Sequence, residues 1–130
     1  MEGPLTAAEL LAEARRDLDR LAPSEAASAM SAGAVLVDIR SELQRERDGI
    51  VPGSVFVPRN VLEWRCDPAS PARDERVCDP ARRLIVMCDE GYQSSLAAAN
   101  LRQLGFDRAA DLAGGFQAWR AAGLPVEVER

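Results

Sequence analysis

The chain has 130 residues, a formal net charge of −5 and an apolar fraction of 47%, which are values typical of one globular domain. The acidic balance argues against a nucleic-acid-binding protein, because such proteins need a concentrated basic surface. No apolar run approaches the roughly 20 residues that cross a bilayer. The first ten residues contain glutamates but no basic residue, so no signal peptide is predicted. We therefore expect a cytoplasmic protein that binds neither nucleic acid nor membrane.

Two residue types are missing, and their absence excludes several kinds of site. The chain has no His and no Lys, so all 16 basic residues are Arg. This removes Cys-His and Ser-His-Asp catalysis, His-based metal sites and Schiff-base chemistry. The three cysteines, Cys66, Cys78 and Cys88, form no CxxC pair, so a zinc site is not expected either. We expect no metal and no cofactor.

Helices and strands are predicted to alternate along the chain. A capping box formed by Thr6 and Glu9 begins a first helix at residues 6–18. Apolar spacing, polar caps and terminal glycines predict further helices or helical turns at residues 25–31, 41–47, 61–64, 94–104 and 116–122. Apolar runs predict strands at residues 34–39, 55–57, 84–87 and 109–112, with a short extended piece at 20–23. Residues 65–81, rich in Pro, Asp and Arg, are predicted to be mainly loop, and this pattern indicates an α/β fold with a mainly parallel sheet.

Cys88 lies directly after the predicted strand at residues 84–87 and is followed by a short loop and a helix. Ligands of parallel sheets bind outside the carboxyl ends of the strands, which is where Cys88 is expected. Loop N–H groups and a helix N-terminus can stabilise a thiolate there without any histidine. Gly91 allows the loop backbone angles that are closed to other residues. Cys88 is therefore a candidate nucleophile, although a buried cysteine that merely ends a strand would show the same pattern.

Five short motifs resemble the rhodanese family, in order and at matching spacing over about residues 20–127. They lie at residues 37–40, 49–54, 88–94, 104–106 and 112–126. The resemblance implies a rhodanese-like three-layer α/β fold over residues 20–130, with a five-stranded mainly parallel sheet flanked by helices, after an N-terminal helical extension at residues 1–19. It also implies a sulfurtransferase that carries sulfur as a persulfide on Cys88 and passes it to a thiol or cyanide.

Two positions depart from the family's pattern. Ile50 replaces the histidine of the turn, and Gln93 replaces the basic residue that often closes the active-site loop. Asp89 and Glu90 add negative charge beside the thiol, so a dianion such as thiosulfate is expected to be a poor donor. A short loop without an arginine also argues against the related phosphatases and arsenate reductases, which bind tetrahedral oxyanions through a guanidinium.

Substrate is expected to contact the loop that follows Cys88, which comprises Asp89, Glu90, Gly91, Tyr92, Gln93 and Ser94. Ser94 or Ser95 is expected to cap the following helix, and a hydroxyl of this pair is a second candidate donor to the thiolate. Arg59 or Arg65 is predicted to supply the positive charge that is missing at Gln93, the alternative being two solvated arginines. Asp38 and Arg40, in the first motif, are expected to form structural hydrogen bonds.

The leading hypothesis is a sulfurtransferase with a small-molecule sulfur donor, a thiol acceptor and a sulfur-metabolism enzyme as partner. One alternative is a catalytically weak binding or regulatory module on the same fold, which the missing histidine and basic residue indicate. Another is a thiol redox sensor in which Cys66 or Cys78 forms a disulfide with Cys88. Free thiols are the default for Cys66 and Cys78 in the cytoplasm. The sequence predicts no oligomeric state.

Overall fold

The structure is a computed structural model that describes residues 3–129. Its strands are β1 (Asp19–Leu21), β2 (Val35–Asp38), β3 (Val55–Phe56), β4 (Leu84–Met87) and β5 (Ala110–Leu112). Its α-helices are α1 (Ala7–Arg15), α2 (Pro23–Ser31), α3 (Glu42–Asp48), α4 (Leu62–Cys66), α5 (Gln93–Gln103) and α6 (Gly115–Ala121), with a 3-10 turn (Arg59–Val61) directly before α4. Within this part of the chain, no helix is both long and apolar enough to cross a membrane.

The strands form one five-stranded sheet in the order β1-β5-β4-β2-β3, and every neighbouring pair is parallel. The predicted α/β fold with a five-stranded parallel sheet is therefore confirmed. β4 occupies the centre of the sheet, and all four of its residues are buried. Because the strands run in the same direction, the residues that follow β2, β3 and β4 meet at one edge. Cys88 lies at this edge.

Alternate residues of the central strands face two separate helical layers. Val37 and Val86 pack into a core cluster with Leu101 of α5, whereas Leu36 and Ile85 pack into a second cluster with residues of α2 and α6. A strand that is covered on both faces needs apolar residues at every position, which explains the unbroken apolar runs of the sequence. Each fully buried aliphatic side chain contributes about 1.5–3 kcal/mol, so these two strands anchor the fold.

The segment between α4 and β4 contains no helix or strand within residues 67–83, as its composition predicts. It is nevertheless closely attached to the domain, because Cys66 at its start and Val77 in its middle are buried in the same core as α5. Asp67, Asp74 and Asp79 each accept a hydrogen bond from the backbone N–H two residues later. These local turns give the connection a defined course without regular structure.

Candidate active site

The sulfur of Cys88 lies at the floor of a cleft of about 630 Å³, and the residue is only 8% exposed. The backbone N–H of Gly91 donates to Sγ at 3.1 Å, and the N–H of Ser94 donates at 3.3 Å. Ser94 belongs to the first turn of α5, so the sulfur also faces the positive end of a helix dipole. Two N–H groups and a helix N-terminus are thus directed at the sulfur, and the thiolate is the nucleophilic form of cysteine.

The cradle around the sulfur requires glycine at position 91. Gly91 has a φ of +91°, a region that residues with a side chain rarely adopt. A Cβ atom there would also lie 2.7 Å from the backbone nitrogen of Gly114 and 3.2 Å from Arg20. Both the backbone angle and the close neighbours therefore exclude a side chain, and the loop can direct the Gly91 N–H at Cys88 only with this residue.

The start of the loop is held by α6. The N–H of Phe116 donates to the carbonyl of Cys88 at 2.9 Å, and the N–H of Gln117 donates to the carbonyl of Asp89 at 3.1 Å. This close approach again depends on a glycine, because a Cβ on Gly115 would lie 2.6 Å from both carbonyl oxygens. Two helices thus fix the loop. The first turn of α5 bonds the sulfur of Cys88, and the first turn of α6 bonds the carbonyls of Cys88 and Asp89.

A buried polar network lies behind the loop and is called here the Asp111 cluster; its members are Arg15, Arg20, Ser94, Ser95 and Asp111. Arg20 pairs with Asp111, with Nε and Oδ1 at 3.0 Å, and both serine hydroxyls donate to Oδ2 at 2.8 Å. Nε of Arg15 donates to the Ser95 hydroxyl at 2.9 Å. Both guanidiniums also donate to the carbonyl of Gly91, each at 2.8 Å.

The Asp111 cluster corrects two expectations for the serines. The hydroxyls of Ser94 and Ser95 are directed at Asp111, so neither donates to the Cys88 thiolate; Ser94 bonds the sulfur through its backbone N–H instead. Neither serine caps the helix, because α5 begins at Gln93 and its cap residue Tyr92 makes no side-chain cap. The serines take these positions because a fully buried carboxylate needs hydrogen-bond donors.

The structure brings most of the predicted substrate-binding residues to the cleft. Asp89, Glu90, Tyr92, Gln93 and Arg59 line it with Cys88, while Gly91 and Ser94 contact the sulfur through their N–H groups. Arg65 is not among the lining residues, and its Nη1 donates to the carbonyl of Ala72 at 2.9 Å. The missing positive charge at Gln93 is therefore not replaced by Arg65.

Arg59 reaches the cleft, but its charge is shared with a carboxylate. Its Nη1 bonds both carboxylate oxygens of Glu63, at 3.0 and 3.1 Å, one helical turn away. Its Nε is buried and has no hydrogen-bond partner within residues 3–129. Arg59 therefore brings to the cleft a cation whose charge is already paired with Glu63.

The remaining charge at the cleft is mainly negative. Glu42, Asp89 and Glu90 line it, and the second lining arginine, Arg40, is neutralised by Asp38. The Asp89 carboxylate accepts a hydrogen bond from Nε2 of Gln117 at 2.9 Å, which holds it at the edge of the loop. An acidic cleft disfavours a dianionic ligand.

Asp38 and Arg40 form the structural hydrogen bonds that the sequence predicts. Together with Arg45 they make up a group that we call the Asp38 cluster. Two bonds of 2.9 and 3.1 Å join the guanidinium of Arg40 to the carboxylate, and Arg45 adds a third of 3.2 Å. Arg40 also donates to the carbonyl of Gly49 at 2.8 Å. Both side chains of the Asp38–Arg40 pair are fully buried.

Residues 22–122 match the rhodanese-like domain family. The chain belongs to this family. A thiosulfate sulfurtransferase GlpE of Stutzerimonas stutzeri is 35% identical to it over 113 residues, which cover 87% of this chain and 94% of the relative. A sulfurtransferase of Allochromatium vinosum is 30% identical over 92 residues, which cover 71% of this chain and 77% of the relative.

A solved structure extends the likeness over nearly the whole chain. It is a protein of Rhodopseudomonas palustris described as of unknown function and a possible tyrosine phosphatase. Its TM-score is 0.87 at 34% identity, and the match covers 98% of this chain and 99% of that one. The rhodanese-like family match begins at residue 22, so Arg15 and Arg20 of the Asp111 cluster lie before it.

The other two thiols of this rhodanese-like chain are poorly suited to exchange with Cys88. All three cysteines are free. Cys66 is fully buried, and burial raises the pKa of its thiol to about 12. Partial burial and the carboxylate of Glu75 raise the pKa of Cys78 as well. Because thiol exchange needs the thiolate, these shifts weigh against a redox sensor that pairs either residue with Cys88.

Sequence reasoning missed Arg15, Arg20 and Asp111, which together hold the active-site loop from behind. One signal was present in the sequence. Asp111 interrupts the apolar run at residues 109–112, and a carboxylate inside a buried strand requires a cationic or hydrogen-bonding partner. The partner itself could not be read from the sequence, because Arg20 is 91 positions away from Asp111.

Proposed function

We propose that this chain is a sulfurtransferase that carries sulfur as a persulfide on Cys88. One observation carries the proposal: Sγ of Cys88 lies at the floor of a cleft with two backbone N–H donors directed at it, at 3.1 and 3.3 Å. The two relatives described as sulfurtransferases support the same reaction class. The phosphatase description of the structural neighbour fits less well, because Gln93 gives the loop no guanidinium for a phosphate group.

The proposed reaction is two successive displacements at sulfur. The Cys88 thiolate attacks the outer sulfur of the donor, a new S–S bond forms, and the donor's own bond to that sulfur breaks. The leaving group departs with the electron pair, as a thiolate from a persulfide donor or as sulfite from thiosulfate. An acceptor thiolate then attacks the outer sulfur of the Cys88 persulfide and restores the Cys88 thiolate. Neither step needs an external oxidant, a metal or a histidine.

Mass spectrometry of the intact protein and of its Cys88 peptide tests this proposal. After incubation with glutathione persulfide, mercaptopyruvate or thiosulfate, the Cys88 peptide is expected to gain the mass of one sulfur atom, and an added thiol should remove it. Cys88→Ala should gain nothing at this peptide. Failure of every donor to load Cys88 in the folded protein would contradict the proposal.

The proposed donor is a low-molecular-weight persulfide rather than thiosulfate. Glu42, Asp89 and Glu90 repel a dianion, and the charge of Arg59, which would offset them, is paired with Glu63. We expect kcat/KM for thiosulfate to be at least tenfold below that for glutathione persulfide. Arg59→Ala should raise KM for either donor, whereas Arg65→Ala, outside the cleft, should leave it unchanged. Equal or faster turnover of thiosulfate would contradict this donor preference.

The acceptor, the partner and the compartment belong to the same proposal. A thiol acceptor can approach only through the open cleft, whose rim includes the exposed ring of Tyr92. We place the reaction in the cytoplasm beside an enzyme of sulfur metabolism, because three free cysteines suit a reducing compartment. Co-purification of persulfide-producing activity with the tagged chain would support the partner.

A second candidate is a binding or regulatory module without catalysis. It is favoured by Gln93, which stands where the family often has a basic residue, and by the acidic cleft. In this case Cys88→Ala should complement a deletion strain as well as the unchanged chain does. Under the sulfurtransferase proposal, the same variant should fail to complement.

A further inference from the structure

Arg15 connects the end of α1 to the active-site loop. It is the last residue of the helix, and its guanidinium bridges two parts of the site. Nε donates to the Ser95 hydroxyl in the first turn of α5, at 2.9 Å, while Nη2 donates to the carbonyl of Gly91, at 2.8 Å. A planar guanidinium can make both bonds at once, which an ammonium group cannot do with the same geometry.

Gly91 lies between Arg15 and the sulfur. It donates its N–H to Sγ of Cys88 at 3.1 Å and accepts at its own carbonyl from Arg15 and Arg20. The peptide bonds of the described residues are trans, so the N–H of Tyr92 points away from the two guanidiniums. Two cationic donors on the Gly91 carbonyl fix the plane of the Gly91–Tyr92 peptide, because charge-assisted hydrogen bonds are the stronger kind. This peptide shares the Gly91 Cα with the Glu90–Gly91 peptide, whose N–H bonds the sulfur.

The charges behind the loop do not cancel. Arg20 is paired with the fully buried Asp111. The ion pairs formed within residues 3–129 give Arg15 no carboxylate partner. Among residues 3–129, the Asp111 cluster therefore carries one net positive charge, on Arg15. A positive charge close to a sulfur favours its thiolate.

We propose that Arg15 is a positioning residue for the Cys88 thiolate, so that the N-terminal helix α1 forms part of the active site. It acts by anchoring the carbonyl of Gly91, the residue whose N–H bonds the sulfur, and by supplying positive charge that Gln93 does not. The helix precedes the rhodanese-like match at residues 22–122, so this contribution lies outside the region that defines the family. The inference rests on the proposed function only in taking Cys88 as the nucleophile.

Alkylation of Cys88 measured against pH tests the inference without any sulfur donor. Arg15→Ala, Arg15→Lys and Arg16→Ala would be treated with iodoacetamide, and the labelled Cys88 peptide would be quantified by mass spectrometry at each pH. Arg16 is the matched control, because it is the exposed neighbour of Arg15 and loses the same charge. Urea denaturation of each variant would show that the protein is folded under the labelling conditions.

In Arg15→Ala, the pH midpoint of alkylation should move upward and the rate at pH 7 should fall roughly threefold or more. Arg15→Lys keeps the charge but cannot bond Ser95 and Gly91 at the same time. Its alkylation rate should therefore lie between those of Arg15→Ala and the unchanged chain. Arg16→Ala should match the unchanged chain. The inference is overturned if folded Arg15→Ala keeps the original pH profile, or if Arg16→Ala shows the same shift.

These outcomes separate the inference from the proposed function. If Cys88 never accepts sulfur yet its alkylation depends on Arg15, the sulfurtransferase proposal fails and the positioning role stands. If Cys88 accepts sulfur at the same rate and with the same pH profile in Arg15→Ala, the positioning role fails and the sulfurtransferase proposal stands.

Discussion

The Asp38 cluster and the Asp111 cluster use the same chemistry for two different purposes. Each pairs one fully buried carboxylate with at least one guanidinium group, and in each a guanidinium also bonds the carbonyl of a glycine. In the Asp38 cluster that glycine is Gly49, in the turn after α3. In the Asp111 cluster it is Gly91, which also bonds the sulfur of Cys88. We therefore expect the Asp38 cluster to stabilise the fold alone and the Asp111 cluster to influence the sulfur of Cys88 as well.

The largest effect on stability is expected from the Asp38 cluster. Asp38→Asn leaves the guanidinium of Arg40 buried without its counter-charge, which should lower the free energy of unfolding by about 3–5 kcal/mol. The matched control is Asp19→Asn, because the Asp19 carboxylate is 68% exposed in its pair with Arg83 and should cost less than about 1 kcal/mol. Urea denaturation measures both variants.

The same variant can also disprove the comparison. Cys88 alkylation in folded Asp38→Asn should not fall by more than about twofold, since within residues 3–129 the Asp38 cluster makes no hydrogen bond to the Cys88 loop, and the charge left unpaired on Arg40 at the cleft is positive. A loss of Cys88 reactivity as large as that expected for Arg15→Ala would show that the Asp38 cluster also affects the sulfur, and would contradict the comparison.

An intermediate effect is expected at the glycine that joins the Asp111 cluster to the sulfur. Gly91→Ala combines a positive φ with a Cβ placed 2.7 Å from Gly114, whereas Gly105→Ala has a similar φ of +105° and open space around it. We expect Gly105→Ala to lower the free energy of unfolding by about 1–2 kcal/mol, and Gly91→Ala to lower it by roughly 1 kcal/mol more. Only Gly91→Ala should slow the alkylation of Cys88.

The contrast between these two glycines would be measured by urea denaturation and peptide labelling of both variants. Equal Cys88 reactivity in the two would mean that the Gly91 N–H is not important for the thiolate. Reduced Cys88 reactivity in Gly105→Ala would instead show that slower alkylation comes from general loosening of α5.

The two clusters also show what could be learned from the sequence. Asp38 and Arg40 are two positions apart in a motif that resembles the rhodanese family, and this resemblance predicted their hydrogen bonds. The strands and the Cys88 loop were equally visible, because periodicity and glycine positions are local signals. Arg59 carried its own local signal, since Glu63 lies four positions later, yet its charge was assigned to the cleft.

The Asp111 cluster could not be predicted in the same way. It forms because β1 pairs with β5 in a register that places Arg20 beside Asp111, and because α1 then packs against α5. Both contacts depend on the order of strands in the sheet, and the local patterns of a single sequence do not specify that order. A buried aspartate in a strand signals that a partner exists, but not which arginine it is.

The smallest effect is expected from the serine that contacts both the sulfur and Asp111. Ser94→Ala removes one of the donors to Asp111 but keeps the backbone N–H that bonds Sγ. The free energy of unfolding should fall by about 1–2 kcal/mol, while the alkylation rate of Cys88 should change by less than about twofold. Ser95→Ala is the matched comparison, because it also removes the acceptor for Nε of Arg15 and should slow alkylation further.

This last pair separates two explanations for the serines. If the Ser94 hydroxyl stabilised the thiolate directly, Ser94→Ala would slow alkylation more than Ser95→Ala, because of the two serines only Ser94 has its backbone N–H against the sulfur. If the serines act through Asp111 and Arg15, the order reverses. The alkylation rates of the two variants therefore decide whether the positive charge behind the loop, rather than a hydroxyl beside the sulfur, makes Cys88 reactive.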